Sequence, residues 1–153
     1  AGTGHHAYPA QDGELAMSGV LRLIIEGDRM ATINRFQPET ETYMEEGCYI
    51  VELHNSEADA DCSIARARVA PGMTTRLHCL SGILERYVIV EGQGEVTVGD
   101  QPPQSVGALD VVNIPAGVPQ CICNTGPADL IFLCICTPRF VAEKYRDLAS
   151  EDD

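Results

Sequence analysis

The chain has 153 residues, 44% of them hydrophobic, and a formal net charge of -13. A chain of that length buries one core without disulfide or metal staples, so a single compact domain is expected. The acidic balance argues against a nucleic-acid phosphate backbone or an anionic membrane as partner, and the early apolar run at residues 20–25, interrupted by Arg22, is too short to span a bilayer.

Residues 1–18 are small, polar and Gly-rich and read as a flexible arm, with Met17 or Met30 as alternative natural starts. His5 and His6 are adjacent and are not expected to form a site. No charged segment precedes a long apolar stretch, so a secretory leader is not expected in the chain as given. Residues 29–46 are polar and poorly periodic, which predicts a segment lying over the surface of the domain. From there strands dominate: 48–53, an acidic loop to Asp61, then 63–69, ending at the Pro71-Gly72 turn. Further strands are predicted over 86–90, 95–98, 110–114, 120–123 and 130–136, separated by clusters of Gly, Pro, Asn and Asp. Short strands at this spacing predict an all-β sandwich or barrel. Thr137 followed by Pro138 looks like an N-cap with proline at the first helical position, which predicts one short C-terminal helix over residues 139–149.

Seven cysteines cannot all pair internally. The simplest reading is reduced, mostly buried thiols in a cytoplasmic protein. Cys121-x-Cys123 and Cys134-x-Cys136 place each pair of sulfurs on one face of a strand without bending them around one ion, so packing as small hydrophobes is expected. Arg66 and Arg68 share one strand face. A charged face in water is the expectation there, because like charges resist shared burial. His54, beside the acidic loop, reads as a surface residue.

The segment from Gly72 to Gly92 carries the strongest pattern. Five residues separate Gly72 from His78; Leu80 stands two beyond; four more lead to Glu85, and six to Gly92. Downstream, Pro115-Ala-Gly117 is followed by Gln120 and then Asn124. These two halves resemble the cupin superfamily of small β-barrels over roughly residues 46–137, with Leu80 and Gln120 where the second and third histidines of the pattern would stand. The chain thus resembles a small single-domain bacterial-type cupin with an incomplete metal-ligand set. The resemblance implies a double-stranded β-helix, or jelly-roll barrel, over 46–137, an N-terminal arm and extension over 1–45, and a helix with an acidic tail over 138–153. It also implies a homodimer.

Alternation along a strand puts Arg76, His78 and Leu80 on one face, Glu85 and Tyr87 on another, and Gln120 and Asn124 on a third. Carried over from the resemblance, His78, Glu85 and Gln120 point into the barrel. An imidazole nitrogen, a carboxylate and an amide oxygen could hold a divalent ion such as Zn, Ni, Fe or Mn, weakly or not at all, because an amide is a poor donor beside imidazole. Without a metal, the same groups satisfy one another by hydrogen bonding. Arg76, Tyr87 and Gln120 are candidate substrate contacts, Arg76 as a fork for a carboxylate or phosphate. Against that stand a rim arginine in solvent and a tyrosine that packs its ring. The expected function is binding of a small polar or carboxylated molecule in the barrel. The alternatives are a metal-dependent oxygenase, lyase or isomerase, and a non-catalytic interaction module.

Overall fold

A computed structural model of the chain describes residues 31–149, and the barrel lies within a compact unit that begins at Asn34. The arm expected over residues 1–18, with Met17 and Met30, lies outside the described residues, as does the end of the acidic tail. Two antiparallel sheets make up the barrel. One has the order β1-β2-β3-β10-β5-β8 and contains Thr42–Met44, Cys48–Ser56, Asp59–Val69, Leu130–Thr137, Leu84–Glu91 and Val111–Ile114. The other, β11-β4-β9-β6-β7, contains Tyr145–Asp147, His78–Leu80, Gln120–Asn124, Gln93–Val98 and Gln104–Gly107. No helix among the described residues is long and apolar enough to cross a membrane.

Strand β10, Leu-Ile-Phe-Leu-Cys-Ile-Cys-Thr, is apolar nearly throughout because it is central. β3 pairs with it on one side and β5 on the other, so its backbone groups are satisfied within the sheet. Leu130, Phe132 and Cys136 are buried inward, while Ile131, Leu133 and Ile135 are half-buried on the outer face. Phe132 joins Ile89, Ile114, Ile122, Val69 and Tyr87 in the main core. A smaller cluster of Leu80, Ile83 and Cys136, covered by Phe140 and Tyr145, closes one region of the barrel.

Two positions show why residue type matters. Gly92 turns β5 into β6 at φ 84°, and a Cβ there would lie 2.5 Å from the Asp129 carbonyl oxygen, so only glycine fits. Asn124 is fully buried yet satisfied: its amide donates to the carbonyls of Val69 and Ala128, and its Oδ1 accepts from the Gly126 N–H. It pins the loop that feeds β10.

The C-terminal helix is not formed. Residues 142–144 make a single 3-10 turn, and Tyr145–Asp147 is a strand paired with β4. The groups a first helical turn would use are already engaged. Thr137 still pairs with Leu84 at the end of β10. The N–H of Arg139 donates to Ala60, that of Phe140 to Ser63 Oγ, and the Phe140 carbonyl accepts from Asn55.

Arg66 and Arg68 are not merely solvated. Both donate to the Glu41 carboxylate, Arg68 through Nη2 at 2.6 Å, and their guanidinium groups lie over the Phe36 and Tyr49 rings. Arg68 first, then Arg66, hold the Glu41 carboxyl below the usual carboxylate range. A lowered folded pKa gives stability that is present above the unfolded value, near 4.3, and lost as pH falls through the folded one. Replacing Glu41 by Gln is therefore expected to lower unfolding free energy by about 1 kcal/mol at neutral pH. Denaturant titrations should show the difference fading as pH falls below about 4.

Candidate functional site

His78 opens β4, Glu85 lies at the start of β5 and Gln120 opens β9. Register brings them together. His78 sits opposite Gln120 in one sheet, while Glu85 sits opposite Cys136 and Ile114 in the other. Gln120 Nε2 donates to Glu85 Oε2 at 2.5 Å, a side-chain bond that spans the two sheets. All three side chains belong to buried residues, Gln120 at 0% exposure.

The His78 ring is held from two directions. Nδ1 lies 2.8 Å from the Arg76 carbonyl oxygen, which can only accept, so Nδ1 carries a proton, and in the neutral ring the lone pair is on Nε2. The Tyr145 ring stacks on the imidazole with centroids 5.0 Å apart and planes 21° from parallel.

Burial pushes the Glu85 carboxyl above the usual carboxylate range. The Gln120 amide, His78 and the Cys134 thiol pull it back, while the Glu46 carboxylate adds to the rise. The Cys136 thiol, 3.9 Å from Glu85 Oε1, is pushed up to about 12, by burial first and then by Glu85. Cys134 stays protonated for the same reasons. These thiols are weak donors, not nucleophiles. All seven cysteines are unpaired; Cys48, Cys79 and Cys136 are buried and the other four are partly exposed.

Tyr87 packs on Phe132 in the main core, ring centroids 4.5 Å apart, and burial keeps its hydroxyl protonated. Arg76 is not inside. Its side chain is 41% exposed and pairs with Asp147 at 3.3 Å, and only its backbone carbonyl reaches the site. Leu80 faces the small apolar cluster of Ile83, Cys136, Phe140 and Tyr145. His54 is half-exposed and bonded to Asp59. Tyr145 and Glu46 were not among the sequence candidates. One lay in a segment read as helix and the other in a polar stretch without periodicity. Cys134 and Cys136 did carry a signal, since a one-residue gap puts both on the inward face.

Gln120 Oε1 is buried and has no hydrogen-bond partner among the described residues. Among the described residues no three His, Cys, Asp or Glu side chains converge as metal ligands. With an amide as third donor, and with burial favouring the protonated form of Glu85, the set does not fit a tightly held transition-metal ion.

The model of the Cupin domain family matches residues 65–136. Over those residues the chain is similar to a cupin domain, and its fold is the double-stranded β-helix. No curated protein matches the chain significantly. Solved structures do. An uncharacterised Klebsiella pneumoniae protein with a double-stranded β-helix domain is 15% identical, with a TM-score of 0.60, over 78% of this chain and 96% of its own. A Thermotoga maritima protein described as a predicted oxalate decarboxylase is 29% identical, with a TM-score of 0.55, over 60% of this chain and 80% of its own. The Streptomyces nucleoside dehydratase Pac13 is 16% identical, with a TM-score of 0.63, over 77% of this chain and 92% of its own. At 15–16% identity the Klebsiella and Streptomyces likenesses speak to the fold.

A raised folded pKa at Glu85 means that its contribution to stability is present below the unfolded value, near 4.3, and is lost as pH rises through the folded one. Glu85→Gln keeps an acceptor for Gln120 Nε2 and removes the buried charge. The variant is expected to match the parent near pH 4 and to become progressively more stable than it toward pH 8. Thermal unfolding across that range checks this, and a variant less stable at every pH would contradict it.

Proposed function

We propose that the barrel binds a small polar molecule whose N–H or O–H groups donate to Gln120 Oε1 and His78 Nε2, with Glu85 as a buried acid beside them. The buried, unpartnered Gln120 oxygen carries this reading. An unmade hydrogen bond at a buried carbonyl costs about 1–3 kcal/mol, which a ligand donor recovers on binding. Fold relatives support an occupant of this kind: a structure of the Streptomyces protein is described with uridine.

A hydroxyl-bearing neutral molecule suits these groups better than an anion. The two sequence candidates that could have received a carboxylate differ in placement: Arg76 faces Asp147 at the surface, and His78 adjoins the carboxyl of Glu85. A metal-dependent enzyme is the second reading, favoured by the 29% identity to the predicted oxalate decarboxylase. A divalent ion would be held by His78, Glu85 and Gln120, weakly for the reasons given above.

Titration calorimetry with a panel of nucleosides, polyols and small carboxylates tests the first reading. At least one neutral member is expected to bind, and Gln120→Met is expected to weaken it tenfold or more while the barrel stays folded. Binding of carboxylates alone, or binding unchanged in Gln120→Met, would count against it. The second reading has its own test. Replacing Leu80 and Gln120 together by His is expected to raise Ni or Zn affinity more than tenfold over the parent, because imidazole is the stronger donor. His78→Ala should abolish that gain. A folded double variant that binds no more metal than the parent would show that these side chains do not converge on one ion.

A further inference from the structure

Any molecule that meets His78 Nε2 and Gln120 Oε1 must reach residues that are 5% and 0% exposed. The cavity of about 690 Å3 between the β6–β7 hairpin and β8 is lined by none of His78, Glu85, Gln120 or Tyr145, so it does not supply the way in. A ligand that reaches both needs more room than this exposure leaves, and movement of one wall would supply it.

The walls differ greatly in how they are held. Glu85 stands on β5, paired along its length with β10 and along its first half with β8. Gln120 stands on β9, paired over five residues with β6. β11 is an edge strand, held to β4 by three residue pairs. Two backbone bonds flank it, from the Ser81 N–H to the Lys144 carbonyl and from the Leu148 N–H to the Leu77 carbonyl. Its side-chain ties are Arg76 with Asp147 at 3.3 Å and Arg146 Nε with Ser81 Oγ at 2.8 Å, both at the surface, and the half-buried Tyr145 hydroxyl with the Glu46 carboxylate. Exposed ties of this kind contribute little. Short edge elements with few buried contacts open at far lower cost than central strands. The apolar anchor of β11 is Tyr145, which packs on the Leu80 cluster and stacks on the His78 ring.

We propose that β11 is the gate of the His78 site and that Tyr145 is the positioning residue for His78. Docked, the Tyr145 ring fixes the imidazole plane with Nδ1 on the Arg76 carbonyl. Undocked, it leaves with the strand and uncovers the face of the imidazole. This rests on the reading that the buried trio receives a ligand, and it can be tested without one.

The probe is diethyl pyrocarbonate, which acylates a neutral imidazole nitrogen, with the rate at His78 followed by peptide mass spectrometry of the full chain. His78 in the parent is expected to react at least tenfold more slowly than N-acetylhistidine. Asp147→Asn, which loosens the surface tie, and Tyr145→Leu, which removes the stack, should each speed it severalfold with an unchanged circular-dichroism spectrum. Tyr145→Phe should keep both the protection and the ring-current shift of the His78 proton signals. Amide exchange in β11 should be much faster than in β9. The gate is overturned if β11 exchanges as slowly as β9, or if Asp147→Asn and Tyr145→Leu leave the His78 rate at its parent value. If gating behaves as expected and no panel molecule binds, the functional reading fails and the gate stands.

Discussion

The hydrogen bond from Gln120 to Glu85 is the constraint on which the site depends. It joins a strand of one sheet to a strand of the other through the barrel interior, where water does not screen it. Its direction fixes the rest. Because the amide nitrogen is turned to the carboxylate, the amide oxygen is turned away and left without a partner. Because the carboxylate is buried, its proton is held more tightly than in water, even with the amide donating to it. One contact thus sets an open acceptor and a reluctant acid side by side.

His78, Glu85 and Gln120 were legible because their spacing is tied to strand alternation and to turns. Gly72, Gly92 and Gly117 do take positive φ, and the strands between them run far enough for period two to hold. Arg76 failed by the same logic. β4 begins at His78, so residues 74–77 do not alternate with it: Thr75 is buried, its hydroxyl accepting from the Ile122 N–H, while Arg76 is exposed. Period two applies only inside a strand, and the strand's start was not written in the residues.

The C-terminal segment was misread for a different reason. Thr137 and Pro138 favour a helix start locally, but Thr137 is committed to β10 and the next two residues are tied to Asn55, Ala60 and Ser63. Distant partners outweighed a local preference worth about 1 kcal/mol. Arg66 and Arg68 follow the same rule. Two like charges on one face predict solvent only if no carboxylate is supplied, and Glu41 lies far earlier in the chain.

An amide in place of an imidazole changes what the site can do. A neutral imidazole offers one lone pair and one N–H, on different ring nitrogens, and here the N–H of His78 goes to the Arg76 carbonyl. An amide offers N–H donors as well as an oxygen, and here the donor side goes to Glu85. That shifts the chemistry from sharing a cation among three ligands to an ordered hydrogen-bonding row: protonated or charged Glu85, the Gln120 amide, then an acceptor awaiting a donor. The thiols of Cys134 and Cys136 beside Glu85 reinforce this, because as neutral donors they stabilise a carboxylate without competing for a ligand. With Leu80 turned into an apolar cluster that also holds Tyr145, the position that would have supplied a metal ligand instead anchors the strand covering His78. The absence of one donor and the apolar seat of Tyr145 are therefore two consequences of the same leucine.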